Sequence, residues 1–512
     1  MKAIRATVII AISVWILQAC NLCCGPTPDE RAAAGLAGRI VPQYAGDIVF
    51  CQTEDSLDVF ELSTEQGRMF GTDHIYGVDL FNEVEAPSWD PETLAAISKG
   101  AYESMAAVDP ETVWLQMSWM FYYDSKHWTP DNIKAYLQAV PRGKVVMLDY
   151  YIEHTPVWTI TEKFYGQPYI LCYLGNFGGN IWMTGNYHQV SQRVEDAFAN
   201  GGDNMIGLGS TLEGFGINMF MYESVLDKAW KTGMSDEEWV EKLADRMYGE
   251  PDENIRSAYR TIVDSVHVSN SFSSQTPLAC ARPCLEGFWY WTAVHNIRYD
   301  NATLVRAWKD LLAASSDRDT YRSLVVTVGT QALGNHFATL RDSLTVAYRA
   351  KDLAEAQRVG ERMMELLDDM DALTACDPQL RLDKWLDDAS ACARTPEEAA
   401  YYRRNARTLI TTWGAQSSIR DYATRAWNGL IDTYYAPRWQ MFVDEIRACI
   451  KEGREYDQEA FFKRLGTCRY RCSSVFNGYS FSQGRILWCD ISRGFNHALY
   501  DDKFIRSICH RH

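Results

Sequence analysis

The sequence is short of positive charge: among its 512 residues, 50 lysines and arginines stand against 67 acidic residues, and the formal net charge is −17. Binding nucleic-acid phosphates requires clustered lysine and arginine, so this balance argues against nucleic acid as a partner. An internal repeat of fixed period is also lacking. The remaining composition, with 47% hydrophobic and 23% charged residues, is typical of a folded chain of two or three domains.

Long apolar runs are scarce as well. The run ATVIIAISVWILQA (6–19) follows two basic residues and is too short to span a membrane comfortably, which is typical of an export signal. We therefore predict a signal peptide at 1–20 and a polar tether at 21–35. The letters LQAC resemble a bacterial lipoprotein box, which would make Cys20 a lipid anchor. Simple cleavage and a buried amino-terminal helix are the alternatives.

An export signal also predicts where the protein works. The expected location is outside the cytoplasm, either secreted or lipid-anchored at a bacterial cell envelope, or in a lysosome-like compartment if the source is eukaryotic. Export permits disulfides among the 14 cysteines. Cys280 with Cys284, and Cys468 with Cys472, are close enough in sequence to bridge locally, although sequence alone does not fix pairing.

Metal-ligand spacing is lacking too. A zinc site would need two such cysteine pairs, or one pair with histidines, to meet in space, and no local spacing indicates this. We therefore predict neither a metal nor a cofactor.

Apolar runs of strand length alternate with helical stretches up to about residue 230. The runs lie at 39–46, 75–81, 113–119, 144–150, 169–177 and 205–211. Their spacing near 30 residues fits successive βα units of a barrel. Beyond residue 230 the apolar residues recur at three- and four-residue intervals, which is helical. The sequence therefore predicts a partial (β/α)8 TIM-type barrel at 36–229, followed by an all-helical domain at 230–512.

Two glutamates stand at the ends of predicted strands. Glu83 and Glu213 follow different strands, and aromatic and amide residues follow the strands between them. Active sites of parallel barrels lie at the carboxyl ends of the strands. Glycoside hydrolysis needs paired carboxylates, one to protonate the leaving oxygen and one to attack or to activate water. The alternative is that each glutamate caps a helix or pairs with an arginine.

The stretch FGTDHIYGVDLFNEVEAPS (70–88) resembles the acid/base motif of the alpha-N-acetylglucosaminidase family, glycoside hydrolase family 89. The likeness continues through AVDPETVWLQMSWMF, AVPRGKVVMLDYY, GQPYILCYLGNFGGN and LEGFGIN. It extends into the helical half at DRMYG, IRYDNATLVRAWKDLL and WGAQSSIRDYATRAWNGLIDTYYAPRW. The resemblance covers roughly residues 68–445.

The resemblance implies an exo-acting, retaining glycosidase that releases terminal α-linked N-acetylglucosamine from glycans. By resemblance, Glu83 is the general acid/base and Glu213 is the nucleophile. The same likeness implies eight substrate-binding residues: Asn82, Trp119, Tyr150, Asn176, Phe177, Trp413, Ile419 and Tyr422.

The chain also departs from the family pattern. Measured against that pattern, the amino-terminal domain and the opening part of the barrel are missing. Met117, Gly175 and Leu212 stand where the family usually has glutamine, histidine and proline. A truncated, non-catalytic relative with at most weak sugar binding is therefore the alternative interpretation.

Overall fold

The structure is a computed structural model that describes residues 71–214, 218–230, 233–270, 276–288, 295–413 and 419–465, together with Thr64, Gly67 and Arg68. The predicted signal peptide, the tether with Cys20, the strand at 39–46 and the pair Cys468 and Cys472 lie outside the described residues. Within the described part, no helix is both long and apolar enough to cross a membrane.

The described residues form two compact units. The first contains the described chain up to Gly175, with His188–Leu212 and Met221–Thr232. The second contains Asn176–Tyr187, Glu213–Phe220 and the described chain from Gly233 onward. The predicted boundary at residue 230 stays a prediction, since two short segments that precede it belong to the second unit.

A parallel five-stranded sheet lies at the centre of the first unit. Its strands, in both chain and spatial order, are β1 (Ile75–Gly77), β2 (Val113–Met117), β3 (Val145–Asp149), β4 (Tyr169–Tyr173) and β5 (Met205–Ser210). This confirms the five predicted strands that fall in the described chain. Each is shorter than its apolar run, because the run continues into the loop at the carboxyl end of the strand.

α-Helices separate these strands, except that two 3-10 turns lie between β3 and β4. The helices are α1 (Pro91–Val108), α2 (Trp119–Tyr123), α3 (Pro130–Gln138) and α4 (Tyr187–Asn200), and α5 (Met219–Asp227) follows β5. The start of α1 has a local cause, since the Asp90 carboxylate accepts the N–H of Thr93 and a proline occupies the first helical position. Its apolar row, which includes Leu94, Ile97 and Met105, is fully buried in the core beneath the sheet.

The second unit is helical, as predicted. Its helices are α6 (Asp236–Tyr248), α7 (Glu253–Ser265), α8 (Asn301–Ala313), α9 (Asp319–Arg349), α10 (Leu353–Thr374), α11 (Leu382–Ala391), α12 (Pro396–Leu409) and α13 (Ala436–Glu452). A two-residue antiparallel ladder joins Gly185–Asn186 to Val268–Ser269. A π-helical turn, Ile431–Tyr435, leads into α13. The predicted fold class, a barrel-type parallel sheet followed by a helical domain, is therefore confirmed.

Cys280 and Cys284, which are close enough in sequence to bridge locally, are both free thiols in this structure. Cys280 is buried at the end of a single 3-10 turn. The Cys284 thiol instead faces the carbonyls of Glu286 and Gly287, and Arg341 donates to its sulfur. Burial raises the pKa of both thiols, which keeps them protonated.

Candidate active site

Glu83 lies where the chain leaves β1 through a turn. Phe81 and Glu83 both adopt left-handed backbone angles, with φ of 62° and 55°. Residues with side chains rarely adopt this region, and such strained positions cluster at functional sites. Asn82 stands between them, and its buried Oδ1 accepts no hydrogen bond within the described structure. A ligand hydroxyl could supply the missing donor.

Trp119 orients the Glu83 carboxylate. The indole N–H of Trp119 donates to Glu83 Oε1 at 2.8 Å, and the Trp119 ring lies 5.6 Å from that of Tyr150. Tyr150 is fixed in turn, because its N–H donates to Ser118 Oγ at 3.0 Å. Desolvation raises the pKa of Glu83, and the bond from Trp119 partly opposes this shift. As a whole residue, Glu83 remains exposed to solvent.

Asp79 is a buried carboxyl behind Glu83 that the sequence interpretation missed. The Gln116 amide donates to Asp79 Oδ1, while Asp79 Oδ2 has no partner among the described residues. Tyr136 donates to the oxygen of the same amide at 3.2 Å. Burial raises the pKa of Asp79 to about 7, the Gln116 bond lowers it and the Glu83 charge raises it. An aspartate inside the apolar run IYGVDLF was the available signal.

Two further buried carboxyls hold the loops after β3 and β4. Asp149 accepts the N–H groups of Val157 and Trp158 at 2.9 and 3.1 Å. Glu153 accepts those of Leu174 and Gly175 at 3.2 and 2.6 Å. Burial raises the pKa of each carboxyl to about 7. Their contacts are structural, and Glu153 fixes the chain just before the GNFGGN loop.

Gly175 has no room for a side chain. A Cβ there would lie 2.2 Å from the Tyr173 ring and 2.8 Å from the Tyr222 hydroxyl, and the backbone has a φ of 67°. The histidine that the family pattern places at this position would therefore not fit this arrangement of the loop.

Glu213 is held by the backbone of the GNFGGN loop in the second unit. The Gly178 N–H donates to Glu213 Oε2 at 2.8 Å. The Asn176 amide bridges the main chain on both sides of the glutamate, accepting the Glu213 N–H at 2.8 Å and donating to the Gly214 carbonyl at 3.1 Å. Asn176 therefore fixes the backbone of Glu213. Phe177, next in the loop, is buried, and its carbonyl accepts the Asn180 amide at 2.6 Å.

Aromatic residues after α12 lie against the same loop. The Trp413 ring lies 5.0 Å from that of Tyr422 in an edge-on arrangement, and the Tyr422 N–H donates to the Ile419 carbonyl at 3.2 Å. Gly178 packs against this segment so closely that a Cβ would lie 2.8 Å from the Tyr422 carbonyl oxygen. The loop that holds Glu213 and the segment with Tyr422 are thus in direct contact.

The predicted site residues therefore fall into two groups. The first unit brings together Asn82, Glu83, Trp119 and Tyr150, and the second unit brings together Asn176, Phe177, Glu213, Trp413, Ile419 and Tyr422. Their catalytic and binding roles stay predictions. Beyond these residues, the second unit contains Arg425, a partly buried cation beside Gly178 that sequence reasoning missed.

One group of potential metal ligands occurs in the described chain. Atoms of Glu85, Asp124 and His127 lie within 4.8 Å of one another. His127 Nδ1 is already hydrogen-bonded to Asp124 at 2.8 Å, and the Trp89 indole donates to Glu85 at 3.2 Å. These bonds account for the grouping without an ion.

A barrel-type parallel sheet followed by a helical domain, with carboxylates among aromatic and amide residues, is an architecture of carbohydrate-active proteins. Two family models match the chain. The alpha-N-acetylglucosaminidase tim-barrel domain matches residues 59–232, and the alpha-N-acetylglucosaminidase C-terminal domain matches residues 239–477. The chain belongs to the alpha-N-acetylglucosaminidase family.

Individual relatives agree with this assignment. The chain is 34% identical over 408 residues to human alpha-N-acetylglucosaminidase, which covers 78% of this chain and 54% of the human protein. A family 89 glycoside hydrolase from Clostridium perfringens, carrying two Glu→Gln substitutions and bound to its substrate GlcNAc-alpha-1,4-galactose, superposes with a TM-score of 0.76. That match has 21% identity and covers 90% of this chain and 53% of the other.

The same fold is found in a second ligand complex. The Clostridium perfringens family 89 glycoside hydrolase with 2-acetamido-1,2-dideoxynojirimycin gives a TM-score of 0.71 at 23% identity, covering 81% of this chain and 48% of the other. At this identity the likeness shows the fold. The chain spans about half the length of the relatives that it matches.

Proposed function

We propose that this chain is an exo-acting glycosidase that removes terminal α-linked N-acetylglucosamine from glycans with retention of configuration. The observation that carries the proposal is that the two glutamates lie in different environments, one with a raised pKa and one held by a backbone N–H. Desolvation raises the pKa of Glu83, which suits a proton donor. Glu213 receives a backbone N–H on its carboxylate, which favours the ionised form that a nucleophile needs.

The two glutamates would act in both steps of the reaction. Glu83 would protonate the glycosidic oxygen while Glu213 attacks the anomeric carbon, and the ionised Glu83 would then deprotonate the water that releases the sugar. Retention requires the two carboxyls to lie about 5–5.5 Å apart around the bond. Asn82 would donate or accept a sugar hydrogen bond. Trp119 would orient Glu83.

Aromatic rings would provide the remaining sugar contacts. Sugar contacts would come from Trp119 and Tyr150 of the first unit and from four residues of the second unit: Phe177, Trp413, Ile419 and Tyr422. Support for the substrate comes from the relatives, since the human protein carries the activity in its name and the Clostridium perfringens enzyme binds a GlcNAc-alpha-linked disaccharide.

Hydrolysis of 4-nitrophenyl α-N-acetylglucosaminide by the full chain tests this proposal. We expect release of nitrophenol, and proton NMR at early times should show the α-anomer of N-acetylglucosamine as the first product. Appearance of the β-anomer first would replace retention by inversion. An inactive chain that still binds 2-acetamido-1,2-dideoxynojirimycin would favour the non-catalytic alternative.

The substitution Glu83→Gln should remove the basic limb of the pH–rate profile. The acid form donates the proton, and because the pKa of Glu83 is raised, activity should fall only as pH rises through that raised value. With 2,4-dinitrophenyl α-N-acetylglucosaminide, whose leaving group needs no proton, the variant should keep kcat/KM, which reports the first step, with a flat profile at high pH. Its kcat should fall, because the second step loses its base.

A matched control for this experiment lies two residues away. Glu85 is exposed, and its carboxylate is bound only to the Trp89 indole in the described structure. The Glu85→Gln variant should keep the basic limb of the unsubstituted chain. A basic limb that persists in Glu83→Gln would contradict the assignment and direct attention to Asp79, the neighbouring buried carboxyl.

We also propose that the chain is exported, with Cys20 as the candidate lipid anchor. Metabolic labelling with a tritiated fatty acid, compared between the unsubstituted chain and Cys20→Ser in a bacterial host, would distinguish lipidation from simple cleavage.

A further inference from the structure

Arg425 is a partly buried cation in the second unit. Its guanidinium lies 4.8 Å from the ring centre of Trp427 and 5.4 Å from that of Trp385. No carboxylate of the described chain forms an ion pair with it. Burial lowers the pKa of Arg425 to about 10. Burying a charge without a counter-ion costs stability, so the stacking rings and the hydrogen bonds of Arg425 offset a cost that a neutral residue would not have.

The guanidinium contacts the turn that holds Glu213. Its Nε and Nη2 both donate to the Gly178 carbonyl, at 3.2 and 3.1 Å. Gly178 has a φ of 62° and Gly179 has a φ of 71°. A Cβ on Gly179 would lie 2.1 Å from Arg425 Nη2, and a Cβ on Gly214 would lie 2.7 Å from the Gly179 Cα. The turn is therefore packed tightly between the Arg425 guanidinium and the residue that follows Glu213.

We propose that Arg425 is a positioning residue for Glu213. It holds the Gly178 carbonyl, and this keeps the N–H of the same glycine donating to Glu213 Oε2 at 2.8 Å. Both hydrogen bonds involve one residue, so a shift of the turn that loses the first also loses the second. The inference rests on the proposed role of Glu213 as the nucleophile.

The chemical consequence concerns the orientation and the charge of the carboxylate. A nucleophile that must attack one carbon atom works only within a narrow range of positions, and a fixed N–H donor restricts the Glu213 side chain to one of them. The same donor favours the ionised carboxylate. Without the hydrogen bonds from Arg425 to the Gly178 carbonyl, the Glu213 carboxylate would be less well oriented toward the anomeric carbon. It would also accept a proton more readily.

The test compares Arg425→Gln and Arg425→Lys with the unsubstituted chain on 4-nitrophenyl α-N-acetylglucosaminide. For Arg425→Gln we expect kcat to fall by roughly 30-fold or more, as when a fixed catalytic hydrogen bond is lost, and KM to stay within about threefold. The acidic limb of the pH–rate profile should move to higher pH. Arg425→Lys keeps a donor and a charge, so it should recover part of kcat.

Arg403→Gln is the matched control, because Arg403 makes a surface ion pair with Asp387 in the same unit. It should leave kcat and the pH profile unchanged. The melting temperature of Arg425→Gln should stay within about 5 °C of that of the unsubstituted chain. The variant loses the contacts of Arg425, but it also loses the desolvation cost of a partly buried charge. A normal kcat and pH profile in Arg425→Gln would overturn the inference, as would a rise in KM that accounts for the loss.

Amide hydrogen exchange separates this inference from the proposed function. In Arg425→Gln, peptides that contain Gly178 should exchange at least about tenfold faster, whether or not the chain turns over any substrate. Unchanged exchange there would overturn the positioning role. Faster exchange in the variant, together with an inactive unsubstituted chain, would support the positioning role of Arg425 and refute the glycosidase proposal.

Discussion

The Glu213→Ala variant should lose turnover of an aryl α-N-acetylglucosaminide by roughly 10³-fold or more. Removal of the attacking carboxylate leaves space next to the anomeric carbon, and Gly178, whose N–H donates to that carboxylate, still lines the space. Added azide should restore part of the rate by entering it. Because azide would attack directly from the nucleophile's side, the product should be the β-glycosyl azide, with inverted configuration.

The Glu83→Ala variant supplies the matched comparison. With a substrate whose leaving group needs no proton, Glu213 can still form the covalent intermediate, and azide would then attack it from the opposite side. That second inversion yields the α-glycosyl azide. Opposite azide anomers from the two variants would support the assigned roles, while the same anomer from both would contradict them. Proton NMR of the azide products distinguishes the two outcomes through the anomeric coupling constant.

The Asp421→Ala variant should lower the free energy of unfolding by about 3–5 kcal/mol, the cost of breaking a buried ion pair by removing one partner. Asp421 is fully buried and accepts from Arg282 Nε at 2.6 Å, Arg438 Nη1 at 2.8 Å and the Tyr434 hydroxyl at 2.6 Å. Truncation would leave the buried guanidinium of Arg438 and the partly buried one of Arg282 without their carboxylate. Asp421 directly precedes Tyr422 and has a left-handed φ of 66°. Loss of its hydrogen bonds should therefore also loosen the segment that carries Tyr422.

Thermal unfolding followed by circular dichroism at 222 nm measures this effect in the full chain. A loss of this size should lower the melting temperature by roughly 6–15 °C. Asp387→Ala is the control, because the ion pair of Asp387 with Arg403 is exposed and its loss should cost at most about 1 kcal/mol. Equal melting temperatures for the two variants would show that the cluster around Asp421 contributes no more than a surface pair.

Local signals allowed much of the fold to be predicted. The helix α1 has clear local signals, because its cap, its first-turn proline and its apolar row all lie within the same twenty residues. The strand ends were less accurate, since a buried loop such as the one after β4 is as apolar as the strand itself. The pairing of Cys280 and Cys284 could not be decided from the sequence, because closeness in sequence does not determine where the two thiols point.

The site was predictable only in part. Resemblance supplied Glu83 and Glu213, and the structure adds the contacts that hold them. Arg425 could not be predicted, because its partner Gly178 lies 247 positions earlier in the chain and no short motif connects them. Asp79 was missed for another reason. An aspartate near the end of an apolar run is interpreted as a turn residue unless its burial is known.

The second unit combines segments that are far apart in the chain, and this affects how the protein folds during its synthesis. Its segments Asn176–Tyr187 and Glu213–Phe220 are made early, whereas the helices with which they are grouped continue to about residue 465. At about 5–20 residues per second, the ribosome needs roughly 10–50 s to make the 252 residues between Glu213 and residue 465. During that interval the sheet of the first unit can form, but the segment bearing Glu213 must wait. Chaperone contacts with the nascent chain should therefore concentrate on these two early segments.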